Sequence, residues 1–448
     1  MAEQYYDVVD IFEQQSDLGG VWNYDSSRKP GRTPVPQTSP HQPLESPIWS
    51  REVGSKEIPS FSNPMYDGLE TNIPDVLMKH SDDASLLNHQ LFPRREEVLQ
   101  YLRHYGMKIA PSVRFNTQVV DARLTNGNSL GRWKVSYRNV RESRIDVNYY
   151  DALIVASGHY AVPYLPAIPG IAEWNTTYPG VISHSKFYQN PSPYKDKKTL
   201  VVGYAASGVD ITLQISSQAR LPIIVSRRSV SYLSHPASYI KDVPEIAEFV
   251  PPSQGSQAVR LIDGRVEADV DAVLFCTGYF YSYPFLSSLI PPLVTSGMQV
   301  EQLYKHMFWM NDPTLAFVGL PSRVIPFRTF EGQASVIAKV WANRIPLPED
   351  EEMRKWYKDD FETSDLGKPH VMDHPKDFQY HNDLVVWASE SNRPDLGLMS
   401  LPWLQEDFHL RERFPAIKRA FNDKGKERHS VKAVEELGFQ YSSRNSQR

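Results

Sequence analysis

The chain has one cysteine, Cys276. That excludes an internal disulfide, a redox thiol pair and a cysteine-built zinc site, and it suits a reducing, cytoplasmic setting. No metal site is read from the sequence. No run approaches the roughly eighteen apolar residues that a membrane helix needs. The start, MAEQYYDVVDIFEQ, lacks the basic residues and apolar core of a signal peptide. No long block of one charge sign occurs, and the formal net charge of −5 offers no basic face to nucleic acid. Glycine is absent ahead of Glu13.

With 448 residues, 41% of them hydrophobic, the chain is long enough for two to three globular domains. Its most informative stretch is residues 199–210, TLVVGYAASGVD. A short apolar strand runs into Gly203, Ala205 and Gly208, and a helix is predicted over residues 209–218. Strand, tight turn and helix N-terminus in that order bring a backbone against a dinucleotide pyrophosphate. Alanine at the middle position fits imperfectly, and an ordinary strand-to-helix turn is the alternative. Residues 223–225 form the next strand, followed by Ser226, Arg227 and Arg228. Where an acid would favour NAD, arginine has the charge to hold the 2′-phosphate of NADP; the alternative is a pair of solvated arginines.

Upstream, residues 6–12 (YDVVDIF) read as a strand ending at Glu13. A carboxylate there suits the ribose hydroxyls of a dinucleotide, or is a solvated strand end. Gly19 and Gly20 precede Val21 and Trp22, a turn that lets an indole cover a flat ligand or enter the core. Residues 28–64 are rich in Pro, Ser and Thr and read as a loop without chemistry. In residues 66–78, Thr71 and Asn72 are turn formers or polar groups in a pocket. An amphipathic helix is predicted over 94–105, and strands over 113–123 and 132–138 are joined by a turn at Asn126, Gly127 and Asn128.

Two runs of one design, DALIVASG (151–158) and DAVLFCTG (271–278), flank the glycine loop. They read as buried parallel strands, and their placement suggests one nucleotide domain inserted into another. A last strand (315–320) and a helix (330–344) follow. Beyond residue 346 the charged, aromatic tail is expected to pack on the outside and to end in a polar segment from Ser442.

Taken together, these motifs resemble the flavin-containing monooxygenases of the FAD and NADPH type, most closely fungal members. The identifying pattern reads Tyr178, Gly180, His184 and Tyr188, with Tyr in place of the usual first Phe and Gln189 after it. Around it stand DIFEQ with GGVW, ETN, HSKFY, the glycine loop, TGY and FEGQ, in the family's order. The resemblance implies an α/β flavoprotein with an NADPH-binding Rossmann-like domain (184–317) inserted into an FAD-binding one (1–183 and 318–448). It implies that Glu13, Gly20, Val21, Trp22, Thr71, Asn72, Val120 and Gln333 surround FAD. Gly203, Ala205, Ser207, Gly208, Val209, Asp210 and Arg227 would bind NADPH.

In such enzymes NADPH reduces the flavin, and O2 adds to give a C4a-hydroperoxide. A nitrogen or sulfur centre of a small amine or thioether then takes one oxygen atom, a chemistry associated with specialised metabolism. The cofactor carries the reaction, so no acid–base triad is required. Asn72 is the candidate catalytic residue, because an amide donates a hydrogen bond without titrating. His184 is a tempting alternative, with a structural role as its competitor. Tyr188 stands where Baeyer–Villiger relatives usually have Trp, and a single cysteine excludes the dithiol of flavin disulfide reductases. The family's first glycine loop has no counterpart before Glu13, which leads to an expectation of weak FAD binding. The competing expectation is a truncated, non-catalytic relative that binds NADPH alone.

Overall fold

A computed structural model describes residues 6–26, 31–51, 57–83, 90–125, 131–142, 144–228, 233, 237–255, 257–362, 368–391, 393 and 397–441. The turn expected at Asn126–Asn128 and the segment from Ser442 lie outside them.

A five-stranded sheet carries the glycine loop. Its spatial order is Ile182–His184, Ala272–Phe275, Lys198–Val202, Arg220–Ser226 and Ile240–Val243, and every pairing is parallel. Parallel strands are covered on both faces, so they read as unbroken apolar runs rather than alternating ones. Ala272–Phe275 is buried at all four positions. The loop strand lies at the centre, where the chain order reverses, which is where open α/β sheets bind ligands.

A second layer holds Leu315–Phe317 parallel to Leu153–Val155, with Leu303–Tyr304 and Phe308–Trp309 completing a four-stranded sheet. The two runs of like design thus both become parallel strands, in separate sheets. Ile182–His184 pairs within the five-stranded sheet, whereas Leu303–Tyr304, Phe308–Trp309 and Leu315–Phe317 pair within the four-stranded one. A three-stranded antiparallel sheet, Thr117–Leu124, Trp133–Asn139 and Ile145–Tyr150, extends the expected hairpin by one strand.

Several expectations are corrected. The strand at 6–12 narrows to Ile11–Phe12, paired in parallel with Val113–Arg114. Part of the loop at 28–64 folds as an antiparallel pair, Ile48–Arg51 with Glu57–Ser60. The helix expected at 330 starts at Pro326, because proline at the first helical position loses no hydrogen bond there.

The largest correction concerns the tail. Helix Gln405–Asp423 buries Leu410, Phe414, Ile417 and Phe421, and the first, third and fourth of these join Leu77, Leu91, Phe92 and Ile325 in one core cluster. The same face buries Arg411 against Asp377 (Nε–Oδ2 2.6 Å) and Lys418 beside Glu70 (3.7 Å). The tail is part of the core, not a coat on it.

Candidate functional site

The glycine loop is built by close approach. Gly203 has φ +90°, and its N–H donates to Ser226 O at 2.9 Å. A Cβ there would stand 2.7 Å from Cys276 O, and one on Gly208 would stand 2.4 Å from Gly203 O. Only glycine lets the helix Ala206–Ile215 settle this tightly onto its strand. Ala205 needs no such allowance: it caps the helix with φ −89°, and its methyl is exposed. The middle alanine is therefore no defect. The first-turn amides of Ala206, Ser207 and Gly208 have no acceptor within the helix, while the Val209 N–H is taken by Ala205 O at 2.9 Å. The geometry fits a dinucleotide pyrophosphate on both counts, cradle and donors.

Two residues expected in that cradle have other commitments. The Asp210 carboxylate turns inward, accepting from Tyr66 Oη at 2.6 Å and from Gln214 Nε2 at 3.3 Å. Burial raises its pKa despite the Tyr66 bond. Arg227 stands at the end of the neighbouring strand as expected. Its guanidinium pairs with Asp242 at 2.7 Å and lies 5.4 Å over the Tyr204 ring.

On the flavin side, Glu13 follows its strand and accepts from the Gln15 N–H at 2.7 Å; burial raises its pKa. Gly19 and Gly20 both take positive φ, turning the chain into the short 3-10 segment Gly20–Trp22. Asn63, unremarkable in the sequence, fixes that turn by donating to Val21 O and Asn23 O at 2.7 and 2.6 Å. Half-buried Trp22 packs on the cluster of Met78, Val98 and Tyr101, as do Ile73 and Phe327. The tryptophan turn, the residue after Asn72 and the start of helix Pro326–Trp341 therefore meet at one place.

Thr71 is buried and fastened, with Oγ1 donating to Ile73 O at 2.8 Å and its N–H to Pro93 O at 2.9 Å. Half-buried Asn72 differs: its carboxamide makes no hydrogen bond among the described residues. A half-buried amide between fastened neighbours is disposed to serve a ligand. Val120 lies at the register shift of its strand, between paired Val119 and Asp121. Gln333 is fully buried and its amide is used at both ends. Oε1 accepts from Gly319 N at 3.0 Å, and Nε2 donates to Tyr380 Oη at 2.9 Å. It braces the turn after strand Leu315–Phe317.

His184 is also structural. Its Nδ1 accepts from Lys186 N at 3.0 Å, which leaves Nε2 protonated and donating to Gly278 O at 3.1 Å. Burial pushes this imidazole down to about 3. Among the described residues eight histidines are pushed down in this way, against four carboxyls raised: Glu13, Asp75, Asp210 and Glu331. The unfolded chain protonates its histidines near an ordinary pKa of about 6.5. As pH falls from there towards 4, it binds protons that the folded state refuses, so stability should fall. Denaturant midpoints at pH 7.5 and 5 check this; equal midpoints would mean the carboxyls cancel the histidines.

Solved structures define the class of protein. S-allyl-L-cysteine S-oxygenase from Allium sativum matches with a TM-score of 0.73 at 25% identity, covering 96% of this chain and 91% of that one. Open cyclohexanone monooxygenase matches in fold alone, with a TM-score of 0.52 at 12% identity over 85% of this chain and 92% of its own. The fold is that of a flavoprotein monooxygenase with two dinucleotide-binding domains. The chain belongs to the flavin-binding monooxygenase-like family, whose pattern matches residues 62–242 and 244–367. Members are NADPH-dependent enzymes using FAD, and this chain is one of them. Relatives include a thiol-specific monooxygenase of Saccharomyces cerevisiae, 30% identical over 76% of this chain and 72% of its own. Flavin-containing monooxygenase FMO GS-OX-like 2 of Arabidopsis thaliana is 32% identical over 84% and 79%. No described helix is long and apolar enough to cross a membrane.

Proposed function

We propose that this enzyme oxygenates a sulfur centre of a small thioether or thiol, with NADPH as reductant. For a thioether the reaction balances as thioether, O2, NADPH and H+ giving sulfoxide, NADP+ and H2O. The carrying observation is the half-buried Asn72 carboxamide, without a hydrogen-bond partner among the described residues, beside the Trp22 cluster. The names of two similar proteins, a thiol-specific monooxygenase and an S-oxygenase, support sulfur as the acceptor.

When bound, FAD accepts hydride from NADPH and activates O2; the protein supplies binding and orientation. The amides of Ala206–Gly208 hold the NADPH pyrophosphate, and Arg227 meets the 2′-phosphate while paired with Asp242. Glu13 accepts from the FAD ribose hydroxyls. Gly19–Trp22 and the apolar cluster beneath Trp22 exclude water from the ring. Asn72 Nδ2 donates a hydrogen bond to the oxygen being transferred. No protein acid or base need titrate in this scheme, and His80, stacked on Tyr101 and Phe327, is pushed down to about 4 by burial.

The test is NADPH-dependent O2 uptake by the purified chain with a thioether, a thiol and a tertiary amine, under 18O2. The expected result is one labelled oxygen in the sulfur product. Oxygenation of the amine alone would overturn the sulfur assignment.

A further inference from the structure

Residues 66–77 connect two cores that are remote from each other in sequence. At one end Tyr66 is buried within the apolar cluster of the inserted sheet, among Tyr188, Tyr204, Ile211 and Leu274, and Leu69 packs against the same cluster. Three hydrogen bonds lace this end to the inserted domain. Tyr66 Oη donates to Asp210 on the second turn of the loop helix, Gln214 Nε2 donates to Gly68 O at 3.3 Å, and Asp67 N donates to Gln189 O at 2.8 Å. At the other end Ile73, Val76 and Leu77 join the C-terminal core.

Glu70 lies between them, buried and held by cations from far along the chain. Its carboxylate meets Arg428 Nε at 3.2 Å and Lys418 Nζ at 3.7 Å, and it accepts from Gln90 Nε2 at 3.1 Å. The backbone there is fixed as well, with Arg95 N donating to Leu69 O at 3.1 Å. The two fastenings are electrically connected, since Glu70, Lys418 and Arg428 all act on the charge of Asp210. Asn72 comes directly after this anchored stretch.

We propose that this segment is a strap that sets the NADPH loop and Asn72 in register, with Tyr66, Asp210 and Glu70 as positioning residues. The inference rests on the assignment of Asn72 above. None of the three is placed at the reacting atoms. Tyr66 holds the helix whose first turn takes the pyrophosphate, and Glu70 holds the backbone that presents the amide. Because the span from Tyr66 to Asn72 is six residues, filling the loop also restrains the amide.

Hydrogen exchange of residues 71–78, with and without NADP+ alone, tests this. In the native protein NADP+ should slow exchange there. A hydrogen bond to a charged group is strong enough that Tyr66→Phe should speed this exchange by roughly tenfold and remove most of the NADP+ effect. Glu70→Gln should do the same from the other end. Product formed per NADPH consumed should fall about fivefold in both variants, while KM for NADPH shifts by less than about twofold. Asp210→Asn keeps an acceptor for Tyr66 and should retain much of the coupling.

Native exchange, NADP+ protection and product yield in both Tyr66→Phe and Glu70→Gln would overturn the strap. Asn72→Ala leaves both fastenings intact, so its NADP+ protection should persist. Should that variant oxygenate normally, the role of Asn72 fails while the exchange result still judges the strap.

Discussion

Asn72→Ala should lower sulfur oxygenation by about a hundredfold, the usual cost of losing a preorganised donor at a developing charge. NADPH oxidation should continue, because the loop from Gly203 to Gly208 and the helix behind it are untouched. The electrons would then leave as hydrogen peroxide: O2 + NADPH + H+ gives NADP+ and H2O2. The diagnostic measurement is therefore a ratio, oxygenated product against peroxide per NADPH, with the native protein as reference. Asn72→Asp should behave like the alanine variant, since a carboxylate accepts hydrogen bonds and donates none. Undiminished product from both variants would remove Asn72 from the chemistry. Stability should change little, because the side chain has no hydrogen-bond partner to lose among the described residues.

Arg411→Ala should be the most damaging change to stability. Asp377 is wholly buried, and its Oδ2 accepts from Arg411 Nε at 2.6 Å; Arg411 also donates to Arg323 O at 2.8 Å. Without the guanidinium, the nearest remaining cation candidate is His374, at 3.6 Å, whose pKa is lowered by burial. Breaking a buried pair from one side costs about 3–5 kcal/mol, because a charge is left uncompensated. The melting temperature should drop by roughly 10 °C. Removing both partners, as Arg411→Met with Asp377→Leu, should recover much of that loss. If the single variant melts like the native protein, the pair contributes nothing and the tail is held by its apolar face alone.

The glycine loop and its flanking strands are legible in the sequence because their signals are local. An apolar run next to glycine states strand and turn within a few residues, and residues 199–208 fold accordingly. The tail reads wrongly for the opposite reason. Leu410, Phe414, Ile417 and Phe421 keep helical spacing, yet Pro415 interrupts them and Arg411 and Lys418 share their face. Arginine and lysine at such positions read as solvent-facing unless their partners are known, and those partners are Asp377 and Glu70. Asn63 and Tyr66 are silent in the sequence likewise, and Glu70 within ETN gives no sign of its partners, since each acts on groups distant in the chain. The bonds of buried Gln333 to Gly319 and Tyr380 are not legible in the sequence either, since Tyr380 lies 47 residues away. Asp210 lies within a recognised motif, yet its bond to Tyr66, 144 residues away, has no local signal.

The bond between Glu70 and Arg428 spans 358 residues of chain. On the ribosome, at about 5–20 residues per second, that separation is a wait of roughly 20–70 s. Throughout it the nascent chain carries an acid destined for burial whose Arg428 and Lys418 partners are not yet made. The segment that carries Asn72 is therefore made long before the residues that complete its fastening.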